Sequence, residues 1–177
     1  MTELDRLSGD LARSILDPLD DGQVTVSVED PHSADAQHCL RRYFAEIDER
    51  FESGFDPTLT VPVEEMAPPL GLFLVARLRE APVGCGGLRH RPNAPPELKR
   101  MWVDPAARGL GLGRRLLREL ESHALAVGAR AVRLETNDVL VEALRLYRSS
   151  GYEEVPAFND ERYAHHWFEK RLTPPEG

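Results

Sequence analysis

Residues 108–113 read Arg-Gly-Leu-Gly-Leu-Gly. Glycines at alternate positions free the backbone to adopt φ > 0 and to approach a ligand closely, because no Cβ stands in the way. The segment leads straight into a run of helical periodicity. Unpaired amides at a helix N-terminus, helped by the helix dipole, hold phosphate oxygens. These residues therefore point to a phosphate-bearing cofactor. A Walker loop would place Gly-Lys-Ser/Thr here, yet Arg114 follows Gly113. A dinucleotide fingerprint needs GxGxxG soon after a first strand, whereas these glycines run GxGxG past the middle of the chain. Both nucleotide readings weaken. Cys39 and Cys85 are far apart in sequence and lack CxxC or Cys/His ligand spacing, so a structural zinc site is not expected. Cys85 lies in an apolar, glycine-rich stretch and reads as a small core residue rather than a nucleophile.

The elements that must position this segment follow from periodicity. Residues 24–28 alternate Val-Thr-Val-Ser-Val, the pattern of a strand with one buried face. Ala36, Leu40, Tyr43, Phe44 and Ile47 have helical spacing, which predicts a helix over 33–51. Residues 71–78 form a buried-strand run. Glu80-Ala-Pro82 reads as a turn and 83–89 as the second arm of a hairpin. Residues 92–96 read as a surface loop. Alternation over 97–103 sets Leu98, Arg100 and Trp102 on one face and Lys99, Met101 and Val103 on the other. From Gly111 onwards, Leu112, Leu116, Leu117, Leu120, Ala124 and Val127 share one helix face, with Gly128 as C-terminal cap. Residues 131–136 form a strand. Leu140, Ala143, Leu144 and Tyr147 mark a last helix ended by Gly151, and 152–155 and 163–172 are two closing strands. The unit from 97 to 136 implies a parallel, right-handed crossover. The expected fold is α/β, a mixed, twisted sheet flanked by helices. It occupies 23–172, preceded by an N-terminal extension over 1–22 with at most a short helix, and followed by a loose tail over 173–177.

Composition narrows the function. The 177 residues suit one domain, and 41% are hydrophobic, enough for a core. A net charge of −8 argues against nucleic acid, whose phosphates need clustered Lys and Arg, and is compatible with a cationic small molecule. No apolar run approaches the ~20 residues of a membrane span. The start, MTELDRLSGD, is acidic and unlike a signal peptide. The cytoplasm is the expected location, and membrane is not an expected partner.

Several linked segments resemble one family. Arg108, Gly111 and Gly113 match the R/Q-x-x-G-x-G/A motif of the GNAT superfamily of acetyl-CoA-dependent N-acetyltransferases. Lys-Arg-Met-Trp-Val-Asp-Pro105 is similar to the strand before that loop. Glu135-Thr-Asn137 and Leu146-Tyr147-Arg-Ser-Ser-Gly151-Tyr152 resemble the next strand and helix. The resemblance covers about 70–172 closely and 23–60 by element order. The ending from Phe158 to Leu172 is similar to a bacterial subgroup of small stand-alone or regulator-fused acetyltransferases.

The resemblance implies acetyl-CoA as acetyl donor, no metal, and direct transfer to an amine. Met101, Trp102 and Val103 would line the pantetheine arm, with Met101 and Val103 hydrogen-bonding it like an added strand. The backbone of Arg108, Gly109, Leu110, Gly111, Leu112, Gly113 and Arg114 would hold the pyrophosphate, and Arg114 or Arg115 would reach a phosphate. Tyr147 is the candidate general acid for the departing thiolate, against the plainer reading of a core tyrosine. Glu97 is the first candidate base, directly or through water, with His165 or His166 next. Those two histidines are expected on opposite faces of the last strand. Asn137 is expected either to bond cofactor or water or to cap the following helix. The acceptor is expected to be a small-molecule amine. A protein N-terminus or lysine, and a non-catalytic acyl-CoA-binding module, are the alternatives. A homodimer is compatible with the sequence.

Overall fold

Alternating and continuous apolar segments build a seven-stranded sheet in the computed structural model, which describes residues 23–174 and Glu176. The expected extension over 1–22 lies outside the described residues. The strands are β1 (Val24–Glu29), β2 (Gly71–Leu78), β3 (Ala81–Arg91), β4 (Ala94–Val103), β5 (Ala131–Thr136), β6 (Glu153–Glu154) and β7 (His166–Arg171). Their order is β1-β2-β3-β4-β5-β7-β6. Neighbours are antiparallel except β4 and β5, which are parallel.

Three helices cover the two faces: α1 (Ala34–Arg50), α2 (Leu112–Ala126) and α3 (Val141–Ser149). Ser33 caps α1 by accepting from the Ala36 amide at 3.2 Å. Gly128, at φ +85°, follows the end of α2, where only glycine adopts the left-handed turn without strain. Alternate residues of β2 divide the core. Phe73 and Val75 pack with Ala36, Cys39 and Leu40 of α1, while Leu74 and Ala76 pack with Leu116, Leu117 and Leu120 of α2. No helix among the described residues is long and apolar enough to cross a membrane.

The structure corrects two readings. Residues 92–96 are not a surface loop. Strands β3 and β4 run on to the Arg91/Ala94 pair, and the turn is Pro92-Asn93, with Asn93 at φ +59°. Pro95 and Pro96 are tolerated because β4 pairs with β5 only at Glu97/Arg133, leaving that edge without ladder bonds to lose. Second, the alternation in β4 breaks. Gly87 pairs with Lys99 but Cys85 with Trp102, so Arg100 and Met101 oppose one residue of β3. This β-bulge, with Arg100 at φ +58°, sends Leu98 to the α2 side and Trp102 to the α1 side. Cys85 is the small core residue expected, and it shares one fully buried apolar layer with Cys39 of α1. The Cys39 thiol donates to the Gly84 carbonyl at 3.5 Å and the Cys85 thiol to that of Arg100 at 3.2 Å.

The thin point of the sheet is Gly86. A Cβ there would stand 2.7 Å from Met101 Sδ and 2.9 Å from Leu120 Cδ1, so its hydrogen is what lets α2 settle on the sheet. Leu120 is fully buried at that contact. Leu120→Ala is expected to cost about 2–5 kcal/mol. That should lower the melting temperature by roughly 2–4 °C per kcal/mol in a domain of this size. An unchanged melting curve would show that α2 does not depend on this contact.

Candidate active site

A wedge opens where β4 and β5 part. Beyond Glu97/Arg133 the strands share no ladder position, so the β4 edge from Leu98 to Val103 is unpaired on that side. Asp104 ends β4 and caps the next turn, its Oδ1 accepting from the Ala106 amide at 2.9 Å. Gly109 and Gly111 then take φ of +85° and +82°, and Gly111 stands at the N-terminus of α2 with no side-chain cap. The backbone N–H groups from Gly109 to Arg114 have no acceptor among the described residues. Consecutive unpaired N–H groups at a helix N-terminus form an anion cradle.

This cradle forms one end of a cavity of about 360 Å³ whose wall includes Met101, Trp102, Val103, Arg108 and Arg114. Leu110 belongs to the cradle by its backbone only, since its side chain is not in the wall. The Arg108 side chain is a strut. Its Nε donates to the Val103 carbonyl at 3.0 Å, and its Nη2 bonds both oxygens of Glu46 at 2.6 and 2.7 Å, tying the strand end to α1. Arg114 donates to Ser149 Oγ at 3.0 Å within the wall, whereas Arg115 turns away to the Val24 carbonyl. Arg50 of α1 and Glu142 of α3 form a two-bond ion pair at 2.8 and 3.1 Å on the same wall. Hydrogen bonding from Arg50 holds the Glu142 carboxyl down at about 2.

A second, smaller cavity of about 90 Å³ adjoins the first. Met101, Tyr43 and Tyr147 line both. The apolar face of α3 places Tyr147 there, 5% exposed, with no hydrogen-bond partner for its hydroxyl among the described residues. Burial pushes its phenol well above the ordinary range, and that of Tyr43 up to about 12. Phe51, Phe55 and Tyr163 roof the smaller cavity, with Tyr163 ring centroids 5.5 and 4.8 Å from the two phenylalanines. Its polar wall holds the Lys99–Glu135 ion pair, Arg100 and Glu161. Desolvation raises the Glu161 carboxyl above its usual value.

Other expected site residues lie elsewhere. Glu97 is only 4% exposed and lines neither cavity. Arg89 at 3.1 Å, Arg91 at 3.8 Å and the Asn159 amide at 3.3 Å hold it as a structural anion. His165 and His166 do not face opposite sides. Both meet the Asp138 carboxylate, His166 also meets Glu154, and neither lines either of these two cavities. Asn137 lines the smaller cavity but is spent on the chain, donating to the Tyr163 carbonyl at 2.8 Å and accepting from the Val139 amide at 3.0 Å. The helix begins after Leu140 instead. Sequence reasoning missed Tyr43, Arg100 and Glu161 as cavity residues. Tyr43 was hidden by the apolar periodicity of α1, Arg100 by the bulge, and Glu161 by lying in a loop without periodicity.

A family model described as "Acetyltransferase (GNAT) family" matches residues 36–152. The IAA acetyltransferase of Azospirillum brasilense is 40% identical over 97 residues, 54% of this chain and 63% of that protein. The chain thus aligns with less than two thirds of that relative. The N-alpha-acetyltransferase RimI of Mycobacterium tuberculosis is 37% identical over 126 residues, 69% of this chain and 75% of that protein. An acetyltransferase of the GNAT family from Staphylococcus aureus has the same fold, with a TM-score of 0.72 at 20% identity over 85% of this chain and 99% of that one. With the anion cradle, the parted strands and the adjoining cavities in place, the chain belongs to the GNAT acetyltransferase family.

Proposed function

We propose that the protein transfers the acetyl group of acetyl-CoA directly to the primary amine of a small molecule. The observation that carries this reading is the meeting of two cavities at the buried residue Tyr147, whose hydroxyl is not spent on any of the described residues. The larger cavity suits the donor. The amides from Gly109 to Arg114 hold the pyrophosphate, Arg114 supports it with charge, and the free β4 edge at Met101, Trp102 and Val103 receives the pantetheine arm as an added strand. When bound, the thioester supplies an activated acetyl group. The smaller cavity receives the acceptor.

Glu161 takes over the role expected of Glu97. It lines the acceptor cavity, its carboxylate accepts no hydrogen bond from the described residues, and its raised pKa suits it to accept a proton from an ammonium. Tyr147 gives a proton or hydrogen bond to the departing sulfur. Its raised pKa keeps the phenol protonated throughout the working range. Holding donor and acceptor at one junction supplies the rest of the catalysis. A binding module would have no use for an unspent phenol there. Similarity to RimI favours a protein N-terminus as second reading. The small volume and aromatic roof of the acceptor cavity favour a compact acceptor.

Acetyl-CoA at ~100 times its dissociation constant is expected to stabilise the protein by about 2.7 kcal/mol, read as a rise in melting temperature. Gly111→Val, at a φ of +82°, should remove that rise while circular dichroism stays native. No shift in the parent protein at millimolar acetyl-CoA would refute the assignment of the donor cavity.

Tyr147→Phe is expected to lower kcat by about 10²-fold with the KM for acetyl-CoA nearly unchanged. The pH profile follows from the two shifts. The rate rises from acid pH as Glu161 and the amine lose protons, then holds to about pH 10, because Tyr147 stays protonated. Glu161→Gln should remove the acidic part of the rise. A falling limb below pH 9 that disappears in Tyr147→Phe would contradict the assigned protonation state.

A further inference from the structure

The acceptor cavity contains two opposite charges, Arg100 and Glu161, that form no ion pair with any of the described residues. Lys99, on the same wall, is paired with Glu135. Arg100 is not paired with any carboxylate of the described residues: its Nη2 donates to Thr60 Oγ1 at 3.0 Å and the Val61 carbonyl at 2.6 Å, both neutral. Among the described residues its buried Nε has no partner and its Nη1 has no acceptor. The guanidinium lies 5.3 Å over the Phe44 ring, which seats a flat cation without neutralising it. Two bonds to the 60–61 loop thus fix the orientation of a partly buried cation and leave most of its five N–H donors unspent. Glu161, across the same cavity, accepts no hydrogen bond from the described residues.

An uncompensated charge at a partly dry site is costly unless a ligand brings its opposite. The donor's phosphates are not that ligand, because Arg100 lines only the acceptor cavity and not the donor cavity. A simple amine would satisfy Glu161 and leave Arg100 unanswered. A polyamine would set a second cation against it. An amine with a carboxylate beside it answers both.

We infer that the acceptor is a zwitterionic amino acid, its carboxylate received by Arg100 while its amine lies between Glu161 and Tyr147. The inference rests on the small-amine reading above and names its substrate class. Arg100 is then a specificity-determining residue placed by the bulge in β4. The bulge gives the otherwise unusual φ of +58° a function, since it takes Arg100 out of strand alternation at the wall of the acceptor cavity.

The test is CoA release, followed by thiol detection, with matched pairs: leucine and isoamylamine, phenylalanine and phenethylamine, each amino acid also as its amide, and short peptides with free N-termini. The parent enzyme is expected to prefer the acid of a matched pair over its decarboxylated amine by at least about 10²-fold in kcat/KM, the scale of an unanswered charge. Arg100→Gln should abolish that preference by slowing the acid and leaving the amine nearly unchanged, and Arg100→Lys should restore it in part. A merely structural role, holding the 60–61 loop, would slow both members of each pair alike, and that result would overturn the inference. So would a parent enzyme that acetylates the amines or amides as well as the acids, a comparison that stands even if Arg100→Gln fails to fold. Both of these outcomes leave the small-amine reading intact. Turnover of peptides alone would overturn that reading, and this inference with it.

Discussion

The parting of β4 from β5 is the constraint on which the rest of the molecule depends. Parallel neighbours normally stay in register along their whole length, and here they share only Glu97/Arg133. Beyond that pair the sheet cannot close, so the backbone edge of β4 is exposed between two helices. An unpaired edge is ordinarily a liability. Here the glycine loop at the end of β4, the face of α3 and the end of α1 enclose it. The same separation opens both cavities, which share Met101 of β4 together with Tyr43 and Tyr147.

Holding strands apart requires props, and the protein uses ions for them. Arg108 bonds the last carbonyl of β4 and Glu46 of α1 together, and Arg50 with Glu142 joins α1 to α3. Under the sheet, Lys99 with Glu135 bridges the two parting strands themselves, and Asn159 donates to Glu97 and Glu135 while accepting from the Trp167 indole at 2.8 Å. Partly buried ion pairs are weak evidence of stability, because desolvation offsets much of their attraction. Their directional bonds do fix where chains lie. The ion pairs set the width of the wedge, and the apolar layers on either side supply the net driving force.

The charges that remain unpaired stand out against this background. On the cavity walls Arg50, Arg108 and Lys99 each have a carboxylate, whereas Arg100 and Arg114 have none among the described residues, and Glu161 has no paired cation there. The tyrosines follow the same logic. Tyr152 gives its hydroxyl to Glu121 at 2.9 Å and is spent on the core, whereas Tyr147, 5.8 Å away ring to ring, keeps its hydroxyl for the junction.

The sequence by itself determined most of the elements and the glycine loop that opens α2. Both depend on local terms: period-two alternation in β1, the continuous apolar run of β2, apolar spacing in α1, α2 and α3, and glycines whose backbone freedom is needed where Gly109 and Gly111 sit at positive φ. The family motif from Arg108 to Gly113 is contiguous, so its chemistry could be read before any folding. Tertiary structure alone decided the acceptor side. Glu97 read as an available carboxylate, because nothing in its neighbourhood announces that Arg89 and Asn159 will converge on it. The opposite faces expected for His165 and His166 depended on a strand that starts only at the second of them. Arg100 was placed by strict alternation, which holds only until a bulge inserts a residue, and the bulge arises from the pairing of β4 with β3 rather than from β4 itself. Tyr43, Glu161 and Tyr147 come from α1, a loop and α3, separated in the chain and brought together by packing. Their shared cavity is a property of the assembled layers and has no signature in any one segment.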